Sequence, residues 1–275
     1  MTTTLFADRI LRVLDAIHAG LDDDLAPADL AATAGLSLHH FHRVFRGMVG
    51  ESVMQYVRRL RLERAAFRLR YAGGDITGTA FAHGYESHEA FTRAFRAHFG
   101  MPPSQYRDAQ RARVEPMHAE RTQRRVEPAR RVLTCRHVGA YDDVGRAWEQ
   151  LMALAPRVPG VRLDRPTLGF VYDDPEITDP ALCRYDAAVE LDIAAPTPAV
   201  PAGLALREIP GGTYAIHLHH GGYDTILDSY IALLGEWLPR QGLNLADEPV
   251  LERYLVPFGQ AAMADLRTEI CVRLV

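Results

Sequence analysis

Two short sets of polar side chains recur in this 275-residue chain at the spacing of an α-helical face. His39, His42, Arg43 and Arg46 stand at i, i+3, i+4 and i+7. Fifty residues further on, Glu89, Thr92, Arg93 and Arg96 repeat the pattern, with His88 beside them. A guanidinium donates through a planar fork that fits guanine edges and phosphate oxygens. Two such faces therefore suit a polyanion with readable edges. One polar stripe alone is equally well an ordinary wet helix surface; two in register count against that reading.

The second half of the chain offers carboxylates instead. Arg184-Tyr-Asp186-Ala-Ala188-Val189-Glu-Leu191 aligns with Arg267-Thr-Glu269-Ile-Cys271-Val272-Arg-Leu274, which puts Asp186 and Glu269 at related positions. His137-Val-Gly139-Ala-Tyr141-Asp142 aligns in the same way with His219-His-Gly221-Gly-Tyr223-Asp224. A cleft between two such units is a natural ligand site. A carboxylate in an apolar cleft suffers desolvation that a bound cation offsets, and aromatic faces add attraction. The plainer reading of Glu269 is a surface carboxylate or an ion pair with Arg267 or Arg184, and Asp186 reads as structural.

Other constellations carry less. His217 and His219 share a strand face with His220 nearby, but no acid or cysteine completes a metal set. Asp173-Asp174-Pro175-Glu176 reads as a strand-ending turn, and Asp22-Asp-Asp24 as an exposed loop. Cys135, Cys183 and Cys271 are far apart and form no CxxC, which argues against a disulfide framework and a structural zinc. There is no P-loop, GxGxxG or nucleophile elbow.

Helices and turns must present the two polar faces. Phe41-His-Arg-Val-Phe-Arg-Gly-Met-Val-Gly50 and Phe91-Thr-Arg-Ala-Phe-Arg-Ala-His-Phe-Gly100 are copies. Each follows a Gly turn and a capping serine, Ser37 or Ser87, as a helix-turn-helix requires. The buried stripes are predicted as Leu38, Phe41, Phe45 and Met48, then Phe91, Ala94, Phe95 and His98. Asp8–Ala19 reads as a preceding helix and Ser52–Tyr71 as a long bridging helix ended by Gly73-Gly74. From Val132 the pattern changes to strands: Val132–Val138, Thr167–Tyr172, Arg184–Leu191, Leu204–Ile209, Thr213–His219, Val250–Val256 and Leu266–Leu274. Helices are predicted at Asp143–Leu154 and Asp224–Leu238. The fold class is an all-α double helix-turn-helix domain, 1–113, joined by a linker, 114–130, to an α+β domain, 131–275, built from two repeated strand-helix-strand units.

Charge follows the same division. The chain carries −4 overall and all 31 basic residues are arginine. Up to Arg131 there are 20 arginines against 15 acids; beyond it, 11 against 20. A basic half joined to an acidic half suggests different partners. Nothing resembles a signal peptide or a run of ~20 apolar residues, so no membrane partner and a cytoplasmic location are expected.

Residues ~5–110 resemble the DNA-binding domain of AraC/XylS-type transcription regulators. The resemblance is carried by Asp75-Ile-Thr, Ala-Phe-Ala-His-Gly-Tyr-Glu-Ser, Phe-Thr-Arg-Ala-Phe-Arg and Phe-Gly-Met-Pro-Pro-Ser-Gln-Tyr-Arg107. Thr79 departs from it, standing where the family has a larger apolar residue. The resemblance implies two recognition helices in successive major grooves of double-stranded DNA. His39, His42, Arg43, His88, Glu89, Thr92 and Arg93 would then contact bases, and Arg46 and Arg96 phosphates.

Residues ~131–275 resemble the GyrI-like effector-binding domain through Gly139-Ala-Tyr141, Leu168-Gly-Phe-Val-Tyr-Asp-Asp-Pro175, Cys183-Arg-Tyr-Asp186, Gly221-Gly-Tyr223 and Arg267-Thr-Glu-Ile-Cys271. That resemblance implies a glutamate in an aromatic-lined pocket that meets cationic, lipophilic compounds. By position the glutamate is Glu269, with Trp148, Tyr172 and Tyr230 as walls. The expectation is a one-component regulator that is not an enzyme, needs no cofactor, senses a small cationic or amphipathic molecule and has RNA polymerase as a further candidate partner. The alternative is a GyrI-like hydrolase of a reactive small molecule, with Glu269 as base, fused to the DNA-binding domain.

Overall fold

The computed structural model describes residues 2–71, 75–111, 121–246, 248–256 and 261–275. The chain divides into two units, Met1–Arg113 and Val114–Val275. Gly73, Gly74 and the 114–120 part of the predicted linker lie outside the described residues.

The first unit is helical: α1 (Thr2–Ala19), α2 (Pro27–Thr33), α3 (Leu38–Val49), α4 (Val53–Tyr71), α5 (Ile76–Ala82), α6 (His88–Phe99) and α7 (Pro103–Arg111). Ile10, Val13, Ile17, Leu30, Phe41, Phe45, Tyr56, Val57 and Leu60 pack into one core across α1–α4. The second helix-turn-helix is held by an aromatic chain: Tyr85 meets Phe91, Phe91 meets Phe95, and Phe95 meets both Phe99 and Tyr106. Two predicted stripe residues are not buried, Leu38 being 45% and Met48 43% exposed. At 3.6 residues per turn the stripe centred on Phe41 and Phe45 continues into Val44 and Val49, which pack on the core. In the second copy Phe99 plays that part and His98 is exposed. Thr79 is buried, and its hydroxyl donates to the Asp75 carbonyl at 2.8 Å, so a polar residue in that apolar place is satisfied.

The second unit is one antiparallel sheet with helices on one face. Its strands are β1 (Thr122–Glu127), β2 (Arg130–Val138), β3 (Val161–Arg162), β4 (Thr167–Val171), β5 (Arg184–Leu191), β6 (Ala205–Ile209), β7 (Gly212–His220), β8 (Val250–Tyr254) and β9 (Arg267–Arg273). Helix α8 (Gly145–Leu154) follows β2. After β7 comes α9 (Ile226–Tyr230), which runs through a π-helical turn (Ile231–Trp237) into α10 (Leu238–Gln241). The strand order is β1-β7-β9-β8-β4-β5-β2-β6, with β3 on β5. Read outward from the β8–β4 pair, each side holds four strands and the helix that follows β2 or β7, with β3 added beside β5, so each set is larger than the predicted strand-helix-strand unit. Matching backbone ties close both sets: the Gly139 N–H donates to Cys183 O at 2.9 Å and the Gly221 N–H to Leu266 O at 3.1 Å.

Part of the predicted linker is sheet. β1 pairs with β7 along its whole length, Thr122 opposite His217 and Glu127 opposite Gly212. Its arginines misled the sequence reading because on an edge strand they alternate between the two faces. Arg125 pairs with Glu127 and Glu269, Arg130 with Glu127 and Glu190, and Arg131 donates to the Asp192 carbonyl. Strand alternation also divides the interior. Tyr185, Ala187, Val189, Leu133 and Cys135 face α8 with Ala147, Leu151 and Trp148. Leu168, Phe170, Ala188, Ile216, Leu251 and Cys271 make the core of the opposite face.

Candidate functional site

Helices α3 and α6 are built alike. The Ser37 hydroxyl accepts from the His40 N–H at 3.4 Å and the Ser87 hydroxyl from the Ala90 N–H at 3.2 Å, each satisfying an otherwise unpaired first-turn donor. Gly50 (φ 88°) and Gly100 (φ 74°) end the helices in the left-handed region. Phe41, Phe45, Phe91 and Phe95 are fully buried and fix each helix's rotation. The opposite sides leave His39, His42, Arg43 and Arg46, then His88, Glu89, Arg93 and Arg96, exposed; Thr92 is half-buried, its hydroxyl 3.4 Å from His88 Nε2. Backbone N–H at the helix start, with Ser87, holds the Glu89 carboxyl below its usual range.

In the second unit one buried carboxylate stands apart. Glu252 on β8 is 7% exposed. Its Oε1 accepts from the Tyr230 hydroxyl at 2.7 Å and its Oε2 from the Tyr254 hydroxyl at 2.6 Å. The Tyr185 hydroxyl lies 2.8 Å from that of Tyr254. Because Tyr254 gives its proton to Glu252, Tyr185 is the donor of that pair. The Trp148 ring stands 5.9 Å from Tyr254 and 6.4 Å from Tyr185, and the Tyr223 ring meets Tyr254 edge-on at 5.9 Å. Trp148, Tyr223, Tyr230 and Tyr254 keep part of their surface exposed. Gly169 on β4 lies beneath: a Cβ there would stand 2.6 Å from the Tyr254 hydroxyl and closer still to that of Tyr185.

The electrostatics differ from those of every other buried acid among the described residues. Glu63 pairs with Arg59, Glu127 with Arg125, Arg130 and Arg253, Asp186 with Arg136, Glu236 with Arg240, and Glu269 with Arg125 and Arg253. Glu252 has hydroxyl partners and no arginine among the described residues. Burial pushes its carboxyl above the usual value, opposed by the two tyrosine hydrogen bonds. Burial also pushes the phenols of Tyr185, Tyr230 and Tyr254 well above theirs, so all three stay neutral donors. A buried carboxylate that no arginine neutralises, with aromatic rings beside it, has the chemistry to take up a cation.

The model of a helix-turn-helix domain matches residues 30–109, and that of a GyrI-like small molecule binding domain matches residues 122–275, more than half of the chain. The chain is 32% identical over 95 residues to the multiple antibiotic resistance protein MarA of Salmonella typhimurium, covering 34% of this chain and 75% of that one. The chain belongs to the family of AraC-type transcription regulators and carries a GyrI-like small molecule binding domain. The regulator is also 37% identical over 98 residues to the uncharacterized HTH-type transcriptional regulator YbfP of Bacillus subtilis, covering 36% of this chain and about a third (33%) of that relative's length. A solved hydrolase from Listeria innocua resembles the regulator at 15% identity and a TM-score of 0.43, over 62% of this chain and 98% of that one, a level that says nothing of activity. Among the regulator's described residues no helix is long and apolar enough to cross a membrane.

The structure splits the predicted ligand set across the sheet. Trp148 and Tyr230 stand around Glu252. Glu269 and Tyr172 do not: they lie on the opposite face, because Glu269 sits across from Arg253, whose side chain alternates with that of Glu252. Both Glu269 oxygens accept from Arg125, at 3.1 and 2.9 Å, and Arg253 adds a contact at 3.0 Å. The plainer ion-pair reading was right in kind, with these two arginines in place of Arg267 or Arg184. Tyr172 donates to Asp186 at 2.7 Å beneath the Arg136 guanidinium, 4.6 Å from its ring. Sequence reasoning missed Glu252, Tyr185, Tyr223 and Tyr254. One local signal was available: Glu252 and Tyr254 are two apart in a strand and so share a face.

The histidines have structural partners. His217 Nδ1 meets the Thr122 hydroxyl at 2.8 Å. His219 Nε2 donates to the Gly222 carbonyl at 3.0 Å, and its Nδ1 lies 2.9 Å from the Ser229 hydroxyl. The predicted turn is closed by Asp174, whose carboxylate accepts from the Glu176 N–H at 2.9 Å, while Asp173 accepts from the Arg184 backbone N–H at 2.8 Å and Nε at 2.7 Å.

Proposed function

We propose that the regulator senses a cationic, aromatic or amphipathic small molecule at Glu252, and that occupancy of this site changes how the reading helices engage DNA. The observation that carries the reading is the buried, arginine-free carboxylate ringed by Trp148, Tyr185, Tyr223, Tyr230 and Tyr254. On the DNA side His39, His42 and Arg43, then His88, Glu89, Thr92 and Arg93, read bases, while Arg46 and Arg96 hold phosphates. Their exposure on helices fixed by buried phenylalanines supports this. For signalling, the ligand must bind the DNA-competent and incompetent states with different affinity. RNA polymerase is the further partner proposed. The strand order and the paired Gly139 and Gly221 ties support a duplicated origin for the ligand domain.

In this reading the ligand leaves unchanged. The hydrolase alternative with Glu269 as base is disfavoured, because both Glu269 oxygens are engaged by guanidinium groups. Titrating phenyltrimethylammonium and its neutral isostere tert-butylbenzene into the full chain, with mass spectrometry of the recovered compounds, tests both points. Selective binding of the cation with no new product is expected. Equal binding of the two, or turnover, overturns the reading.

A further inference from the structure

The acidic loop Asp22-Asp23-Asp24 has no part in either site above, yet it sits where the two helix-turn-helix units meet. Arg61 on α4 donates through Nε to the Leu21 carbonyl at 2.8 Å and through Nη2 to the Asp23 carbonyl at 2.7 Å. The same guanidinium lies against the turn between α5 and α6: a Cβ on Gly84 (φ 75°) would stand 2.9 Å from Arg61 Nη1. Asp22 reaches in both directions. Its Oδ2 accepts from Arg64 on α4 at 3.3 Å, and its Oδ1 lies 3.4 Å from Nδ1 of the fully buried His83 at the end of α5. A second tie runs along another side of α4, where Arg59 bridges Glu51 and Glu63, and Glu63 Oε1 lies 4.0 Å from His98 Nε2 on α6. The bridging helix is therefore hydrogen-bonded to the α1–α2 loop of the first helix-turn-helix and packed against the turn that introduces the second reading helix.

Such fastening has a consequence for recognition. Two reading helices on one chain meet successive major-groove faces only when their separation matches the helical repeat of the duplex. Inserting one base pair between half-sites rotates the second by roughly 34° and moves it along the axis. A pliable bridge would follow the second half-site; a clamped one would not.

We propose that Arg61 and Asp22 form a clamp across α4 that sets the half-site spacing the regulator accepts. They act as positioning residues and touch no DNA in this role. The test uses a duplex selected from a randomised pool with the full-length wild-type chain, the same duplex with one base pair inserted between its halves, and a duplex carrying only the first half. Fluorescence anisotropy measures affinity for each. The wild type is expected to lose about tenfold or more on the insertion, since the second reader's base contacts go. Arg61→Met and Asp22→Asn are expected to lose less than about threefold on the insertion while matching the wild type on the single half-site. Should Arg61→Met fail to fold, Asp22→Asn, on a part-exposed loop side chain, decides by the same comparison. Variants that lose as much as the wild type on the insertion overturn the clamp. So does an equal drop on all three duplexes, which is what a merely structural role would give.

Discussion

Glu252→Gln isolates the charge of the proposed ligand anchor. The substitution keeps shape: of the two hydroxyls that donate to the carboxylate, Tyr230 at 2.7 Å and Tyr254 at 2.6 Å, one still donates to the amide oxygen and the other turns to accept from the amide nitrogen. What it removes is a carboxylate at 7% exposure with no arginine beside it among the described residues. A charge-assisted contact to a bound cation is worth about 1.5–3 kcal/mol, so affinity for phenyltrimethylammonium should fall roughly 10- to 150-fold. Affinity for tert-butylbenzene should be unchanged. Stability of the ligand-free protein should hold or rise by up to about 1 kcal/mol, because an uncompensated buried charge is gone. The pH dependence has a definite sign. The Glu252 carboxyl lies above its ordinary 4.5 in the folded state, so its contribution to stability is present below that value and is lost as pH rises through the folded pKa. Cation affinity runs the other way, rising with pH as the carboxylate forms and then levelling. Calorimetric titration of both compounds into both proteins, across pH 4 to 8, measures all of this. Equal losses for the charged and neutral compounds would refute the charge argument, as would a pH-independent cation affinity in the wild type.

Three further outcomes are expected. Arg43→Ala and Arg93→Ala should each remove about 1–3 kcal/mol of base discrimination at one half of a selected duplex, whereas Arg46→Ala and Arg96→Ala should weaken all sequences alike and flatten the salt dependence; competition binding at several salt concentrations separates the two patterns. Glu269→Gln should destabilise the ligand domain by roughly 1–3 kcal/mol, since Arg125 and Arg253 lose a shared partner at a partly buried site; urea melts in which the variant equals the wild type would contradict the ion-pair account. Burial, with Arg68 and Arg64 and against Asp22, pushes His83 down to about 4 from an ordinary 6.5, so stability present above pH 6.5 should drain away towards pH 4, by at most about 3 kcal/mol; His83→Leu should flatten that slope in urea melts, and an unchanged slope would show that the acid sensitivity lies elsewhere.

The first unit was legible because its signals are local and doubled. Ser37 with Gly50 and Ser87 with Gly100 bound two helices whose phenylalanines point one way and whose arginines point the other, and the 50-residue offset excludes coincidence. The errors there, at Leu38, Met48 and His98, fall at helix ends, where a stripe extrapolated by spacing outruns the neighbour it packs on. The strands were legible from alternation, Arg184–Leu191 to the residue. β1 was not, because an edge strand bearing two arginines beside Pro128 has the composition of a tether. Only its partner β7, ninety residues away in the chain, makes it a strand.

The glutamate was lost to register, which no single strand carries. Alternation along β9 puts Thr268, Ile270 and Val272 on one side and Glu269 with Cys271 on the other. Had β8 been placed beside β9 in its actual register, Glu252 opposite Ile270 would have joined the helix side, and Arg253 opposite Glu269 would have become that residue's partner. One antiparallel pairing thus exchanges the roles of two glutamates. The acid on β9 becomes part of the scaffold, tied by Arg253 and Arg125 to the strand through which the chain enters the ligand domain. The acid on β8, one residue from Arg253, faces the aromatic ring with hydroxyl donors. Neighbouring residues of one short strand therefore belong to the proposed ligand site and to the ion-pair network holding the entry strand. Arg253 pairs with Glu127 on β1 as well as with Glu269 on β9, so it joins the strand that carries Glu252 to the entry strand.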